Sequence, residues 1–148
     1  MLWDKKTQRI VSNESAEIIR MFNSAFNALT GNERDFYPQS LRSEIDEVNE
    51  FVYHNINNGV YRAGFATTQE AYTEAFDDLF AALDKIEQRL TANRYLVGDT
   101  LTEADWRLFT TLIRFDSVYV GHFKCNLRTI ESYPAISNYL RSYIKLKV

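Results

Sequence analysis

The chain has 148 residues, a length that allows one domain or one domain together with part of another. Hydrophobic residues make up 45% of it and aromatic residues 14%, which is enough for a full core, and the presence of only two prolines favours long helices. The net charge of −3 gives no reason to expect nucleic acid or an anionic membrane as a partner, and no apolar run reaches the roughly 20 residues that span a bilayer.

The first predicted elements are two short strands, residues 2–4 and 9–11, joined by a polar turn. Two strands by themselves are marginally stable in water, so these need a partner sheet or helix. A helix follows, with Ser12 or Asn13 as its N-cap, and it ends near Gly31. Its apolar residues recur every three or four positions: Ile18, Ile19, Phe22, Ala25, Phe26 and Leu29.

A second helix is predicted over residues 39–56, and Gly59 supplies a left-handed residue that would stop it. Residues 60–66 then form an apolar connector. Thr67 and Glu70 make a candidate capping box that opens the longest helix of the chain. One side of that helix is apolar: Tyr72, Phe76, Leu79, Phe80, Leu83, Ile86 and Leu90.

The stretch of residues 98–106 predicts the start of a buried helix. Thr102 is its N-cap, and the Asp105 carboxylate can reach back to the Thr102 backbone N–H, which is a capping box with Asp in place of Glu. Leu101 and Trp106 can close a hydrophobic staple across this cap. The residues that follow are too apolar for a surface helix, so we expect the central core helix of an all-helical unit.

The last part of the chain has mixed character up to a short helical turn predicted at residues 129–132. Pro134 fits the first position of a final helix, because the N–H that proline lacks would have no helical partner there. The side chains predicted to point inward from this helix are Ile136, Leu140, Tyr143 and Ile144.

Four segments resemble known proteins. Residues 95–105, Tyr-Leu-Val-Gly-Asp-Thr-Leu-Thr-Glu-Ala-Asp, resemble the capped core helix in the C-terminal domain of cytosolic glutathione transferases. Residues 13–20, 60–66 and 112–126 are similar to the glutathionyl-hydroquinone reductases, also called xi-class glutathione transferases, which are close to the omega class. The resemblance covers essentially the whole chain. It implies glutathione-dependent reductive removal of glutathione from S-glutathionyl-hydroquinones.

The fold implied by this resemblance is all-α, a glutathione transferase C-terminal helical bundle preceded by a remnant of a thioredoxin-like domain. The remnant, two strands and one helix, is expected at residues 1–30, and the helical domain at residues 31–148. Family members are longer, and their nucleophilic cysteine lies in a Cys-Pro-Trp-type motif of the thioredoxin-like domain. This sequence contains no such motif. The chain by itself is therefore expected to be inactive.

The resemblance also assigns roles to four residues. Glu14 and Ser15 match the glutathione site, where a loop and a helix start hold the γ-glutamyl end, although local sequence alone would assign them to helix capping. Tyr61 and Tyr119 match tyrosines of the hydroquinone pocket, because a phenol can donate to a quinone oxygen while its ring stacks on the substrate. The alternative for each tyrosine is a core position with a satisfied hydroxyl.

Cys125 is the only thiol, so it forms no internal disulfide, which fits a reducing compartment and a cytoplasmic protein. It lies in a His-Phe-Lys-Cys-Asn run rather than at the nucleophile position of the family, so a structural role is expected. Arg114 and Asp116 either form an ion pair or are two solvated charges. The two histidines, His54 and His122, are far apart and form no metal site with one cysteine.

The expected co-substrate is therefore glutathione, the expected ligands are aromatic hydroquinone conjugates, and the expected assembly is a homodimer, with no metal, nucleic acid or membrane. Two alternatives stay open. One is a non-catalytic helical protein-interaction module of glutathione-transferase fold, which the capped core helix fits equally well. The other is a glutathione transferase that acts on a different electrophile.

Overall fold

A computed structural model describes residues 1–144 of the chain, except for the side chain of Ile144. The prediction that Ile144 points inward, and the last four residues of the predicted domain 31–148, lie outside the described residues. Contacts within the chain divide it into two compact units, Met1–Arg42 and Ser43–Val148. The assignment of residues 1–30 to a thioredoxin-like domain concerns ancestry and stays a prediction.

The first unit begins with an antiparallel pair of strands, β1 (Leu2–Asp4) and β2 (Arg9–Ser12), which confirms the two predicted strands. Trp3 lies opposite Ile10 in this pair. The turn between the strands is held by the Asp4 carboxylate, which accepts hydrogen bonds from the Lys6 N–H at 2.8 Å and the Thr7 hydroxyl at 2.7 Å. These bonds lower the pKa of Asp4.

The helical part of the first unit is interrupted where the sequence predicted one continuous helix. Helix α1 spans Ser15–Ser24 and a short helix α2 spans Asn27–Thr30, which ends at Gly31 with a left-handed φ of 67°. The predicted N-cap at Ser12 or Asn13 is wrong, because Glu14 occupies that position. The Ser12 hydroxyl is engaged instead with the Glu14 N–H at 3.0 Å and with the Glu17 carboxylate at 2.8 Å.

The second unit is built from helices α3 (Arg42–Val52), α4 (Gly59–Gly64), α5 (Gln69–Ala92), α6 (Glu103–Arg114) and α8 (Pro134–Ile144). Helix α7 (Val120–His122) is a single turn between α6 and α8, and a short 3-10 turn occupies Ile130–Ser132. Another 3-10 turn, Gln39–Leu41, lies at the end of the first unit. The core side chains come from the apolar faces that the sequence predicted, including Ile45, Val52, Leu79, Leu83, Leu108, Leu112 and Ile136.

Two predicted helix ends in this unit are wrong. Gly59 does not stop a helix: it begins α4, so most of the predicted connector at residues 60–66 is helical. A Cβ at Gly59 would lie 3.4 Å from the Leu79 side chain, an ordinary van der Waals contact, so α4 packs against α5 at this residue. Helix α5 is capped by Thr68 rather than Thr67, and the Thr68 hydroxyl accepts from the Ala71 N–H at 3.2 Å.

Helix α6 begins in a buried polar cluster centred on Asp105. The structure contains the capping box between Thr102 and Asp105, and the Asp105 carboxylate accepts from the Thr102 N–H at 2.8 Å and its hydroxyl at 3.1 Å. Two further donors reach the same carboxylate, the Leu96 N–H at 2.9 Å and the Tyr139 hydroxyl at 3.0 Å. Burial raises the pKa of Asp105, and these hydrogen bonds oppose that rise.

No helix among residues 1–144 is long and apolar enough to cross a membrane.

Candidate functional site

Two π-helical turns lie at the tyrosines that the sequence singled out: one precedes Tyr61 and the other ends at Tyr119. One turn spans Tyr53–Asn57, directly before the helix that carries Tyr61, and the other spans Phe115–Tyr119, at the end of α6. A π turn inserts an extra residue into a helix and is frequent at functional sites. Each of these turns therefore changes the direction of the side chains that follow it along the chain.

The structure brings Tyr61 and Tyr119 together although 58 residues separate them in sequence. Their hydroxyl oxygens lie 3.4 Å apart, and their rings meet edge to face at 71° with centroids 5.9 Å apart. Tyr119 is 3% exposed, whereas Tyr61 is 43% exposed. The pair thus consists of one phenol fixed in the core and one that solvent reaches.

The protonation state of Tyr119 is set by its surroundings. Burial raises the pKa of its phenol above 10.0, the hydrogen bond with Tyr61 adds to the rise, and the positive charge of Arg114 opposes it. At neutral pH Tyr119 is therefore a neutral hydroxyl. A neutral phenol can donate a hydrogen bond to a ligand oxygen or accept one from a ligand hydroxyl.

Two phenylalanines that sequence reasoning missed complete an aromatic cluster, defined here as Tyr61, Phe65, Tyr119 and Phe123. Phe65 stacks on Tyr61 with the ring planes at 16°, and its centroid lies 5.3 Å from that of Phe123. Phe65 is 71% exposed, so the cluster reaches the surface. Both phenylalanines lie in the segments 60–66 and 112–126 that carried the resemblance, but no spacing rule connects them.

The segment that holds Tyr119 and Phe123 is fixed by backbone hydrogen bonds. The Tyr119 carbonyl accepts from the Phe123 N–H at 3.2 Å and from the Cys125 N–H at 3.0 Å. Lys124 adopts a left-handed φ of 57°, and its carbonyl accepts from the Tyr72 hydroxyl on α5 at 2.7 Å. A cavity of about 340 Å³ borders this segment and is lined in part by Tyr72, Phe123 and Lys124.

Cys125 lies in the same segment and is fully buried. Burial raises the pKa of its thiol to about 11, so the thiolate form is scarce at neutral pH. Reactive cysteines have partly exposed, electropositive surroundings that lower the thiol pKa, and Cys125 has the opposite environment. This environment is that of a structural thiol.

The Asp116 carboxylate is bound by backbone N–H groups, an arrangement that the sequence did not predict. Its carboxylate accepts from the Ile130 N–H at 2.6 Å and from the Glu131 N–H at 3.1 Å. Asp116 therefore attaches the 3-10 turn Ile130–Ser132 to the end of α6, and its carboxylate is not simply solvated.

The predicted glutathione-site residues lie at the start of α1 in the first unit. Glu14 occupies the N-cap position and Ser15 is the first helical residue, and both are exposed. Within the described residues, the Glu14 side chain makes no capping hydrogen bond to the helix. The first-turn N–H groups of α1 are thus not closed by Glu14, which suits an anionic ligand group.

No group of three or more His, Cys, Asp or Glu side chains among residues 1–144 is arranged to hold a metal ion.

Comparison with known proteins gives consistent matches over both units. Residues 69–142 match the family described as "Glutathione S-transferase, C-terminal domain". Glutathionyl-hydroquinone reductase PcpF of Sphingobium chlorophenolicum is 60% identical over 137 residues, which cover 93% of this chain and 44% of PcpF. Glutathionyl-hydroquinone reductase YqjG of Escherichia coli is 56% identical over 146 residues, which cover 99% of this chain and 44% of YqjG.

Solved structures match equally well. The glutathione-bound structure of YqjG superposes with a TM-score of 0.95 at 56% identity, over 97% of this chain and 47% of that chain. The crystal structure of glutathione transferase Xi 1 from Trametes versicolor gives a TM-score of 0.91 at 60% identity, over 95% of this chain and 49% of that chain. The resemblance to glutathionyl-hydroquinone reductases and the helical fold predicted from the sequence are confirmed. The chain spans less than half the length of these curated relatives.

Proposed function

The chain belongs to the glutathione S-transferase C-terminal domain family, and we propose that it serves the reduction of S-glutathionyl-hydroquinones by glutathione. In this proposal its helical unit binds the aromatic part of the substrate. The observation that carries the proposal is the pair of phenols, Tyr61 and Tyr119, whose hydroxyls lie 3.4 Å apart. Two matched relatives are named as glutathionyl-hydroquinone reductases, which supports the choice of substrate class.

The two tyrosines have complementary properties for this task. Tyr119 is buried and neutral, so its hydroxyl is held in one place, while Tyr61 is partly open to solvent and presents its ring to a ligand. A hydroquinone has two hydroxyl oxygens on a flat aromatic ring. Such a ligand can exchange hydrogen bonds with the phenol pair and stack on the aromatic cluster.

Glutathione is the proposed co-substrate, and Glu14 and Ser15 are the proposed contacts for its γ-glutamyl end. The ammonium of that group suits the Glu14 carboxylate, and its carboxylate suits the first-turn N–H groups and the Ser15 hydroxyl. The absence of a Glu14 capping bond within the described residues supports this assignment. Residues 1–30 are in this proposal the tail of a thioredoxin-like domain, and residues 31–148 are the helical domain.

The sharpest test replaces one phenol and measures binding of an S-glutathionyl-1,4-hydroquinone by calorimetry. We expect Tyr119→Phe to weaken binding by about fivefold to tenfold, the effect of one lost hydrogen bond. Tyr53→Phe is the matched control, because Tyr53 is exposed and lies outside the aromatic cluster. Equal affinities of the wild-type chain and Tyr119→Phe would refute the role of Tyr119.

We further propose that the 148-residue chain does not catalyse the reaction by itself. Its one thiol, Cys125, is fully buried, and a pKa of about 11 leaves little thiolate to attack a glutathionyl group. Turnover by the purified chain that disappears in Cys125→Ser would overturn this proposal.

A homodimer and a cytoplasmic location complete the proposal; the single thiol fits a reducing compartment. The interaction-module alternative makes a different prediction for the same calorimetric experiment. Under that alternative, neither the wild-type chain nor any variant of the aromatic cluster binds the hydroquinone conjugate.

A further inference from the structure

Gly64 and Phe123 make an unusually close contact at the edge of the phenol pair. A Cβ built on Gly64 would lie 2.6 Å from Cδ2 and 2.8 Å from Cβ of Phe123, and closer still to its Cγ. Distances below about 3.0 Å do not occur for real Cβ atoms, so only glycine fits here. The Phe123 ring therefore rests on the bare backbone of α4, one turn beyond Tyr61.

From this seat Phe123 contacts both tyrosines. Its ring centroid lies 5.5 Å from that of Tyr61 at an interplanar angle of 64°, and 5.4 Å from that of Tyr119 at 42°. These separations are within the range of favourable aromatic pairs. Phe123 therefore contacts both Tyr61, on α4, and Tyr119, in the segment after α6.

The backbone gives Phe123 little freedom to withdraw from this position. Its N–H is bonded to the Tyr119 carbonyl, and the following Lys124 carbonyl is held by the Tyr72 hydroxyl. A side chain added at residue 64 would therefore displace the ring or α4, and either movement changes the positions of the tyrosines. Tyr61 lies on the same short helix as Gly64, and Tyr119 lies four residues before Phe123.

We propose that Phe123, seated on Gly64, is a positioning residue that fixes the separation of the Tyr61 and Tyr119 hydroxyls. Its effect on hydroquinone affinity rests on the function proposed above for the two tyrosines. Its effect on the geometry of the phenols does not depend on that proposed function. The alternative is that Phe123 only fills the space between the helices, in which case the phenols keep their arrangement when it is changed.

The experiment compares four variants with the wild-type chain: Gly64→Ala, Phe123→Leu, Phe123→Ala, and Gly64→Ala combined with Phe123→Ala. Gly121→Ala is the matched control, since Gly121 lies two residues from Phe123 and a Cβ there would meet nothing within 4 Å. The first readout is NMR of tyrosines labelled with carbon-13 at Cζ, followed through a pH titration, with Tyr61→Phe and Tyr119→Phe assigning the two signals. Thermal unfolding checks that each variant is folded.

The expected result is that Gly64→Ala shifts both tyrosine signals and lowers the apparent pKa of Tyr119, because the hydrogen bond between the phenols is lost. Gly121→Ala should leave both unchanged. In the Phe123→Ala background, which removes the Cγ and Cδ2 atoms that residue 64 meets, adding Gly64→Ala should have a smaller effect. Unchanged tyrosine signals in folded Gly64→Ala and in Phe123→Leu would overturn the proposal. If Gly64→Ala does not fold, Phe123→Leu alone decides it by the same signals.

The second readout is the affinity for S-glutathionyl-1,4-hydroquinone, which separates the two proposals. Gly64→Ala is expected to weaken binding by about tenfold, close to the effect of losing a phenol hydrogen bond. If the tyrosine signals move and the affinity stays the same, Phe123 is a positioning residue and the proposed role of the phenols in binding is wrong. If neither changes, the positioning proposal fails by itself.

Discussion

Asp105 lies in the first turn of helix α6, and Tyr119 lies in the π turn that follows its last residue. The two polar side chains differ in how their hydrogen-bonding groups are satisfied. At the N-terminal end Asp105 accepts four hydrogen bonds from Leu96, Thr102 and Tyr139, all of them buried. Beyond the C-terminal end, the Tyr119 hydroxyl lies 3.4 Å from that of Tyr61 and also interacts with the Arg114 side chain, beside rings that reach the surface. The Asp105 carboxylate has no hydrogen-bonding capacity left for a ligand, whereas the Tyr119 hydroxyl has.

This difference separates a group that is fixed within the fold from a group that can change its partner. A buried carboxylate with four donors is expensive to disturb, because removing it leaves several buried donors without a partner. A phenol pair with a weak mutual contact costs little to disturb, but it can exchange that contact for a ligand.

The largest effect is expected for Asp105→Ala. It removes the acceptor of the buried Leu96 and Thr102 N–H groups and one partner of the Tyr139 hydroxyl, so we expect the free energy of unfolding to fall by about 3 kcal/mol or more. Chemical denaturation monitored by circular dichroism measures it. Asp99→Ala, an exposed acid before the same helix, is the control and should change stability by about 0.5 kcal/mol at most. A loss from Asp105→Ala as small as that of the control would contradict the central role of this carboxylate.

A smaller effect concerns pH. Because burial raises the pKa of Asp105 above its ordinary value of 3.8, the folded chain binds this proton more tightly than the unfolded chain. The contribution of Asp105 to stability is therefore fully present below pH 3.8 and decreases as the pH rises through the raised pKa. Asp105→Asn cannot titrate. The free energy of unfolding of the wild-type chain, relative to that of Asp105→Asn, should therefore fall as the pH rises from 3.8 through the raised pKa of Asp105. A difference that grows with pH would mean that the four hydrogen bonds outweigh burial.

At the other end of the helix, Tyr119→Phe should lower the free energy of unfolding by about 1 kcal/mol or less, since one long hydrogen bond is lost. The same change should weaken binding of the hydroquinone conjugate by about fivefold to tenfold. Parallel denaturation and calorimetry on one preparation give both values. A large loss of stability with unchanged affinity would reverse the comparison between the two ends.

The smallest effect on stability is expected for Phe65→Ala, because Phe65 is 71% exposed. We expect a change of about 0.5 kcal/mol or less in unfolding free energy. Binding of the hydroquinone conjugate should nevertheless weaken by about threefold to tenfold if Phe65 extends the stacking surface of Tyr61. Leu127→Ala is a suitable control, as Leu127 is an exposed apolar residue outside the aromatic cluster. Equal responses of the two variants would remove Phe65 from the binding surface.

The two ends of α6 also differ in how well they could be predicted. The capping box is a local pattern, with Thr102 and Asp105 three residues apart, and the sequence is enough to find it. The aromatic cluster depends on contacts between α4 and the segment after α6, so periodicity alone does not reveal Phe65 or Phe123. The resemblance to a known family supplied Tyr61 and Tyr119, while the geometry of their contact required the structure.

The errors at helix ends have the same origin. Gly59 has the local character of a helix stop, yet it is the first residue of α4 and lies beside Leu79 of α5. Thr67 and Thr68 are equally suitable caps by residue type, and the tertiary structure selects Thr68. A glycine or a threonine can take part in several local conformations, so its neighbours in space decide between them.

The burial of Cys125 has a consequence for the redox behaviour of the chain. In the presence of glutathione and its disulfide, an accessible thiolate would form mixed disulfides by exchange. Cys125 has no exposed surface and a thiol pKa of about 11, so both the access and the thiolate needed for that exchange are absent. We therefore expect Cys125 in the folded helical unit to resist S-glutathionylation when the ratio of glutathione to its disulfide changes.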